Sequence, residues 1–118
     1  MRSKRERGTA TGSAAFLTIL EDVIRRRLEA RSPDSYVASL AAGGDRRLAQ
    51  KVGEEAVELV IAVTAGDRQE QIDEAADLLF HLLVLLNVKG IRLEDILATL
   101  ERRHKDKGEP VQSVTDAG

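Results

Sequence analysis

The sequence has no cysteine and no tryptophan, and it has only 2 prolines. Without cysteine the chain can form no disulfide bond, no zinc–thiolate site and no cysteine nucleophile. Aromatic residues make up only 3% of the chain. Leucine, valine, isoleucine and alanine must therefore build the core, and a core of that composition favours helices.

An excess of one charge sign and long apolar runs are also missing. The chain has 18 lysine and arginine residues against 20 acidic residues, so it has no basic field that would bind nucleic acid by charge alone. The longest strongly apolar run, residues 78–86, contains His81 and is too short to span a bilayer. The basic N-terminus lacks the apolar core of a signal peptide. We therefore expect a single cytoplasmic domain with no membrane or nucleic-acid partner.

The two ends of the chain differ in composition from its middle. Residues 1–12 are polar, basic and glycine-containing, and residues 108–118 are polar. These compositions predict a disordered N-terminal tail and a polar C-terminal tail. The folded domain is then expected to occupy residues 13–107.

Residues that start and stop helices divide this domain into segments. Pro33 forbids helical continuation, and glycines follow the second, third and fourth segments. The expected helices are one capped by Ser13, a short one over residues 35–42, one from an N-cap at Asp45 to residue 65, one over residues 68–88 and one over residues 93–104. No segment shows the period-2 alternation of a strand. The sequence therefore predicts an all-α fold, an antiparallel bundle of about four to five helices.

Two acidic clusters lie on neighbouring predicted helices. Glu54, Glu55 and Glu58 form an EExxE pattern on the third helix, and Glu74 and Asp77 form an ExxD pattern on the fourth. A carboxylate within an apolar helix costs several kcal/mol unless something neutralises it. Divalent cations are the obvious candidates.

A helical wheel places part of the first cluster toward the core. The apolar stripe of the third helix consists of Leu48, Val52, Leu59 and Val63. Glu55 falls inside the edge of this stripe, and Lys51 stands one turn earlier as a local counter-charge. Glu54 lies further round, toward solvent. At least one carboxylate is therefore expected to point where the core should be.

The fourth helix shows the same feature more strongly. Glu74, Asp77 and His81 fall on one narrow line, while apolar residues cover nearly every other direction, as in a buried helix. Antiparallel packing of the third and fourth helices would bring the two acidic clusters together. A ligand set of carboxylate oxygens with at most one imidazole is typical of Mg²⁺ or Mn²⁺ rather than zinc. Mg²⁺ bound by carboxylates commonly binds the phosphates of a substrate.

Structural explanations compete with this interpretation. Most EExxE patterns are solvated helix faces, so the first cluster alone is weak. Buried ion pairs, for example Glu55 with Arg46 or Arg47, would also account for a buried acid. His81 is as compatible with a hydrogen-bonded core histidine as with a metal or substrate contact.

Longer strings around the acids resemble a known family. The acidic spacing is similar to that of the MazG-like all-α nucleoside-triphosphate pyrophosphohydrolase superfamily. The strings SYVASLAAGGDRRLAQKVGEEAVELVIAV and EAADLLFHLLVLL more specifically resemble the phosphoribosyl-ATP pyrophosphohydrolase (phosphoribosyl-ATP diphosphatase) family, over about residues 16–105. This resemblance implies Mg-dependent hydrolysis of phosphoribosyl-ATP to phosphoribosyl-AMP and pyrophosphate, the second step of histidine biosynthesis. It also implies a MazG-like bundle assembled as a homodimer or a dimer-based oligomer.

The resemblance also assigns the acids. Glu55, Glu58, Glu74 and Asp77 match the metal-binding positions of the family. Glu54 matches the first acid of the motif, which binds a further Mg²⁺ or positions the attacking water. All five are therefore the candidate catalytic and metal-binding residues, with Mg²⁺ or Mn²⁺ as the cofactor.

Five further residues are candidates for binding the substrate: Ser35, Tyr36, Lys51, His81 and Arg103. Lys51 lies on the acidic face, and Arg103 on the last helix could close over the site, although a solvated surface charge is the competing interpretation for each. The family resemblance suggests a substrate-side segment for Ser35 and Tyr36, against an N-cap and a core tyrosine.

Two other functions stay open on the sequence. One is a housecleaning pyrophosphohydrolase that acts on ordinary or damaged nucleoside triphosphates with the same acidic site. The other is a non-enzymatic helical interaction module in which the acids are ion-paired. Relative rates on phosphoribosyl-ATP and deoxynucleoside triphosphates separate the first from the histidine-pathway enzyme, and Mg²⁺ binding tests the second.

Overall fold

A computed structural model describes the backbone of residues 9–106 and the side chains of residues 14–105. Residues 1–8 of the predicted N-terminal tail and all of the C-terminal tail lie outside this range. The described chain consists of α1 (Thr9–Ala30), α2 (Tyr36–Ala42), α3 (Asp45–Ala65), α4 (Arg68–Val88) and α5 (Leu93–Asp106). No strand occurs between residues 9 and 106. The predicted all-α fold is confirmed.

Side-chain caps explain two of the helix starts. The Ser35 hydroxyl accepts a hydrogen bond from the Ala38 amide at 3.2 Å and so begins α2. Asp67 accepts from the Glu70 amide, and the Glu70 carboxylate accepts from the Asp67 amide, each at 2.9 Å. This reciprocal capping box begins α4 after the short turn that follows α3.

Two helix starts differ from the predicted ones. Gly44, with φ of 90°, is the N-cap of α3, and Asp45 is the first helical residue instead of the predicted cap. A positive φ of this kind suits glycine, which has no Cβ. Helix α1 begins at Thr9 instead of Ser13, so it extends into the segment predicted as a tail. Gly12 lies in this first turn, and a single glycine weakens a helix by about 1 kcal/mol without ending it.

The core lies where α1, α2, α3 and α4 meet. Its buried members are Ile24, Val37, Leu48, Leu83 and Val84. Helices α3 and α4 form a closely packed antiparallel hairpin about the turn at Gly66. A Cβ at Gly66 would lie 3.0 Å from the Ala62 carbonyl oxygen, which explains why glycine ends α3.

The predicted apolar stripe of α3 was wrong at its end. Val63 is 58% exposed, whereas Ala62 is buried. The buried line of α3 consists of Leu48, Glu55 and Ala62, which are seven residues apart and therefore share one face. The buried face of α3 therefore passes through Ala62 and not through Val63.

The composition of α4 suggested a helix buried on every side. This expectation was wrong. Its buried residues, His81, Leu83 and Val84, lie in the second half of the helix. Ile72 is 45% exposed and Leu79 is 40% exposed. The single chain therefore leaves apolar surface uncovered near the turn between α3 and α4.

Helix α5 is anchored at its beginning by an acid of α1. The buried Glu21 carboxylate accepts a hydrogen bond from the Leu93 amide at 2.6 Å and another from Arg92 Nε at 3.4 Å. Further along α5, the apolar residues Ile96, Leu97 and Leu100 are exposed. None of the described helices is long and apolar enough to cross a membrane.

Candidate active site

Three of the five predicted acids meet between α3 and α4. One carboxylate oxygen from each of Glu55, Glu74 and Asp77 lies within 4.8 Å of the other two. Glu55 is buried, Glu74 is half-buried and Asp77 is exposed, so the group opens to solvent on the α4 side. The antiparallel α3–α4 hairpin produces this meeting of residues that are distant in sequence. We refer to these three residues as the carboxylate cluster.

Partial desolvation and mutual repulsion both disfavour the ionised form of Glu74 in this cluster. Partial desolvation, followed by the negative charges of Glu58, Asp77 and Glu55, raises the pKa of Glu74 above its ordinary value. A raised pKa means that the ionised carboxylate is disfavoured at this position. The cluster therefore favours the binding of positive charge.

Lys51 supplies one counter-charge, one turn before Glu55. Its Nζ lies 3.2 Å from Glu55 Oε2. The hydrogen bond and the charge of Glu55 raise the pKa of Lys51. Among the described side chains, Glu55 is paired with Lys51 and not with Arg46 or Arg47. One lysine does not neutralise three carboxylates, so the ion pairs among residues 14–105 leave the cluster negative.

The chemistry of the cluster fits a hard divalent cation. Its donors are carboxylate oxygens from two helices, and they are already close enough to share one ion. Mg²⁺ and Mn²⁺ prefer such oxygen ligands, and Mg²⁺ commonly retains water and binds phosphates beside them. The open side of the cluster leaves space for both.

Glu54 and Glu58 lie outside the cluster. Glu58 is exposed but near enough for its charge to raise the pKa of Glu74. Glu54 is also exposed, and its Oε2 accepts a hydrogen bond from Gln50 Nε2 at 3.1 Å. Metal binding by these two acids stays a prediction.

His81 and Tyr36 form a hydrogen-bonded pair beside the cluster. His81 Nδ1 lies 2.7 Å from the Asp77 carbonyl oxygen, and His81 Nε2 lies 2.9 Å from the Tyr36 hydroxyl. A carbonyl oxygen only accepts hydrogen bonds, so Nδ1 carries a proton and donates it. In neutral His81 the Tyr36 hydroxyl then donates to Nε2. Phe80 stacks on Tyr36, with ring centroids 6.2 Å apart.

This geometry separates the interpretations of the two residues. His81 is buried with both ring nitrogens bonded, which matches a hydrogen-bonded core histidine that holds Tyr36 in place. Tyr36 is 52% exposed, so the alternative of a core tyrosine was wrong. A held and half-exposed tyrosine can contact a ligand, and substrate binding by Tyr36 stays a prediction.

Ser35 and Arg103 occupy different surroundings. The hydroxyl of the buried Ser35 serves as the N-cap of α2, so the competing structural interpretation accounts for this residue. Arg103 is exposed in the last turn of α5. Within residues 14–105 it forms no ion pair with the carboxylate cluster. Substrate binding by both residues stays a prediction.

A groove adjoins the cluster on the side of Lys51. It has a volume of about 450 Å³ and is lined by Tyr36, Ser39, Leu40, Gly43, Arg47, Leu48 and Lys51. Sequence reasoning missed this groove because its walls come from α2 and α3 and no local pattern connects them. We refer to it as the α2–α3 groove.

Besides Glu55, the described residues contain one more buried acid, Glu21, and sequence reasoning missed it. It stands on α1 between the apolar residues Leu17, Leu20 and Ile24. An acid on an apolar helix face is the same signal that singled out Glu55, so it could have been found. Its hydrogen bonds to Arg92 and Leu93 give it a structural role.

Comparison with known proteins agrees with the geometry. The family described as phosphoribosyl-ATP pyrophosphohydrolase matches residues 17–104. Phosphoribosyl-ATP pyrophosphatase of Pyrobaculum islandicum is 52% identical over 91 residues, which cover 77% of this chain and 97% of the relative. The enzyme of the same name from Sinorhizobium medicae is 45% identical over 92 residues, which cover 78% of this chain and 86% of that protein.

A longer relative contains a similar segment. The histidine biosynthesis bifunctional protein HisIE of Vibrio cholerae is 51% identical over 90 residues, which cover 76% of this chain and 43% of that protein. The match therefore extends over most of this chain but less than half of the bifunctional protein. With a family match over residues 17–104, the chain belongs to the phosphoribosyl-ATP pyrophosphohydrolase family.

Proposed function

We propose that this protein hydrolyses phosphoribosyl-ATP to phosphoribosyl-AMP and pyrophosphate, the second step of histidine biosynthesis. The observation that carries the proposal is the meeting of Glu55, Glu74 and Asp77 within 4.8 Å in a chain of this family. The relatives that are half identical to it bear the name of this activity. The catalytic domain is proposed to occupy residues 13–107, and the cytoplasmic location stays a prediction.

The proposed cofactor is Mg²⁺, with Mn²⁺ as a substitute. Glu55, Glu74 and Asp77 would hold it, and Glu58 is the fourth proposed ligand because its charge acts on Glu74. Such an ion, when bound, neutralises phosphate charge and lowers the pKa of water. Repulsion within the metal-free cluster supports this assignment, since a cation relieves it.

The remaining steps fall to side chains of this chain. In the hydrolysis a water oxygen forms a bond to phosphorus while the anhydride P–O bond between the α- and β-phosphates breaks, and the electron pair leaves with pyrophosphate. We assign Glu54 as the group that accepts the proton of the water, because it is an exposed acid next to Glu55 in the sequence and is not a member of the cluster. Lys51 and Arg103 would donate hydrogen bonds to phosphate oxygens, and Ser35, Tyr36 and His81 would form the substrate side of the site.

Parallel rate measurements test the function. We expect hydrolysis of phosphoribosyl-ATP in the presence of Mg²⁺ at a value of kcat/KM far above that for deoxynucleoside triphosphates. Faster hydrolysis of the deoxynucleoside triphosphates would instead indicate a housecleaning enzyme. Isothermal titration with Mg²⁺ separates both from an interaction module, for which neither binding nor stabilisation by the metal is expected.

The proposed assembly is a homodimer or a dimer-based oligomer. Four apolar residues of α3 are more than half exposed in the single chain: Val57, Val60, Ile61 and Val63. Helices α1, α4 and α5 carry further exposed apolar residues, and so many are unusual for a monomer. A second copy of the chain would cover these faces and complete the core of the bundle.

A further inference from the structure

We propose that the α2–α3 groove binds the phosphate monoester of the phosphoribosyl group, with Arg47 as its main ligand. This inference rests on the proposed function, because it concerns the part of phosphoribosyl-ATP that ATP lacks. The carboxylate cluster, with the proposed cation, would bind the triphosphate. A second anion on the same substrate needs cationic side chains at a separate place.

The charge of the groove favours an anion. Its lining includes two cationic residues, Arg47 and Lys51, and no acid. Among the described side chains Arg47 forms no ion pair, so its charge is not neutralised within residues 14–105. Lys51 forms an ion pair with Glu55. Its charge is therefore shared with the carboxylate cluster, whereas no described acid pairs with Arg47. A guanidinium group can also bind phosphate through two parallel hydrogen bonds, which makes Arg47 the main candidate.

The position of Arg47 suits a substrate that extends from the cluster. Arg47, Lys51 and Glu55 are spaced four residues apart and so lie along one face of α3. At a rise of 1.5 Å per residue, Arg47 stands about 12 Å from Glu55 along the helix axis. A long ligand can therefore contact the cluster at one end and Arg47 at the other, with Lys51 between them.

Gly43 gives the Arg47 side chain its place in the groove. A Cβ at Gly43 would lie 3.1 Å from Arg47 Cγ and 3.4 Å from Arg47 Cβ. The φ of Gly43 is −75°, so alanine would fit the backbone and would act only by crowding the arginine. Substitution of Gly43 by alanine therefore displaces Arg47 without removing its charge.

Tyr36 forms a rigid wall of the same groove. Its hydroxyl is held by His81, and its ring stacks on Phe80. On the floor of the groove the Ser39 hydroxyl donates to the Tyr36 carbonyl oxygen at 2.7 Å. A wall held in this way loses little conformational entropy when a ligand binds.

The experiment compares wild type with Arg47→Ala, Gly43→Ala and Arg46→Ala. Arg46 is the matched control, because it is an exposed arginine of the same helix turn that does not line the groove. Kinetics with phosphoribosyl-ATP are measured together with inhibition by ribose 5-phosphate and by pyrophosphate, each with Mg²⁺. We expect Arg47→Ala to raise KM and the inhibition constant of ribose 5-phosphate by about tenfold or more. Gly43→Ala should raise both by less, and Arg46→Ala should change neither by more than about twofold.

Inhibition by pyrophosphate shows which end of the substrate Arg47 contacts. The inhibition constant of pyrophosphate should be the same in wild type and Arg47→Ala, because pyrophosphate binds at the cluster. Equal weakening of pyrophosphate and ribose 5-phosphate, equal effects of Arg46→Ala and Arg47→Ala, or no inhibition of wild type by ribose 5-phosphate would each overturn the assignment. For a wild type that does not turn over phosphoribosyl-ATP, binding of ribose 5-phosphate is measured directly by titration. Loss of that binding in Arg47→Ala would then support the groove while the proposed function fails.

Discussion

The two buried glutamates among residues 14–105 show how the surroundings of an acid decide its role. Glu21 accepts hydrogen bonds from a backbone amide and from an arginine, so its charge is satisfied within the chain. Glu55 has one lysine and faces two further carboxylates. The first acid is a structural cap, whereas the second retains acceptor capacity that a cation can use.

Removal of one cluster carboxylate should abolish most of the activity but not the fold. We expect Glu55→Gln and Asp77→Asn each to lower kcat/KM for phosphoribosyl-ATP on the order of 100-fold or more, since a lost ligand removes several kcal/mol of charge stabilisation. Circular dichroism should show an unchanged helix content. Glu101→Gln, an exposed acid of α5, is the control. Wild-type turnover in either cluster variant would contradict the assignment.

Glu74→Gln should make the metal-free protein more resistant to heat. The folded pKa of Glu74 is raised above 4.5, its ordinary value, so its contribution to stability is fully present below pH 4.5 and is lost as the pH rises through the folded pKa. At neutral pH the ionised group opposes folding through its desolvation and through repulsion by neighbouring carboxylates, and a neutral amide lowers both costs. Calorimetry without metal should show a higher Tm for the variant, together with a smaller fall in Tm between pH 4.5 and neutral pH.

Mg²⁺ should reverse the order of the two Tm values, so that wild type becomes the more heat-resistant protein. It should raise the Tm of wild type, because it binds the folded cluster, and should raise that of Glu74→Gln much less. An equal response of the two proteins to Mg²⁺ would mean that Glu74 is not a ligand.

At the scale of helices, sequence reasoning succeeded where the signal was local. Ser35 and Asp67 are separated by three residues from the amides that they cap, so α2 and α4 were predicted within a residue. The exposure of Val63 was missed because a helical wheel does not show which of two neighbouring apolar residues the fold buries. The structure buries Ala62 and leaves Val63 exposed.

In the candidate site, too, local patterns predicted some residues, whereas contacts between distant segments were missed. Glu55 was predicted from its position in an apolar stripe, and Glu74 and Asp77 from their apolar helix. The bond between Tyr36 and His81 joins residues 45 positions apart, and the bond between Glu21 and Leu93 joins residues 72 positions apart. No periodicity within one segment reports such contacts, because they depend on how the helices pack.

The anchor of α5 should be measurable as stability. We expect Glu21→Ala to lower the free energy of unfolding by about 1–3 kcal/mol, because it leaves the Leu93 amide without a partner and removes a hydrogen bond to a charged group. Chemical denaturation gives this difference directly. Arg92→Ala should have a smaller effect, since it leaves the bond between Glu21 and Leu93 intact. Equal stability of Glu21→Ala and wild type would show that the cap contributes nothing.

At the scale of the whole molecule, the exposed face of α3 predicts the response of the assembly to a new charge. Val60 is 61% exposed in the single chain. Val60→Glu should yield a monomer by light scattering, because a dimer interface would have to bury the carboxylate without a partner. Arg68→Glu is the control, since it also introduces an acid at an exposed residue, and an acid in the first turn of α4 is favourable there. A Val60→Glu protein with the same mass in solution as wild type would exclude this face from the interface.

The hydrogen bond from the Leu93 amide to Glu21 has a consequence for hydrogen exchange along α5. Leu93 packs against the core and its amide is bonded to Glu21, whereas Ile96, Leu97 and Leu100 are exposed in the isolated chain. Amides near the start of α5 should therefore exchange slowly and those beyond them quickly. If a second copy covers α5, protection of its later turns should rise with protein concentration, so that deuterium uptake along this one helix reports the assembly of the enzyme.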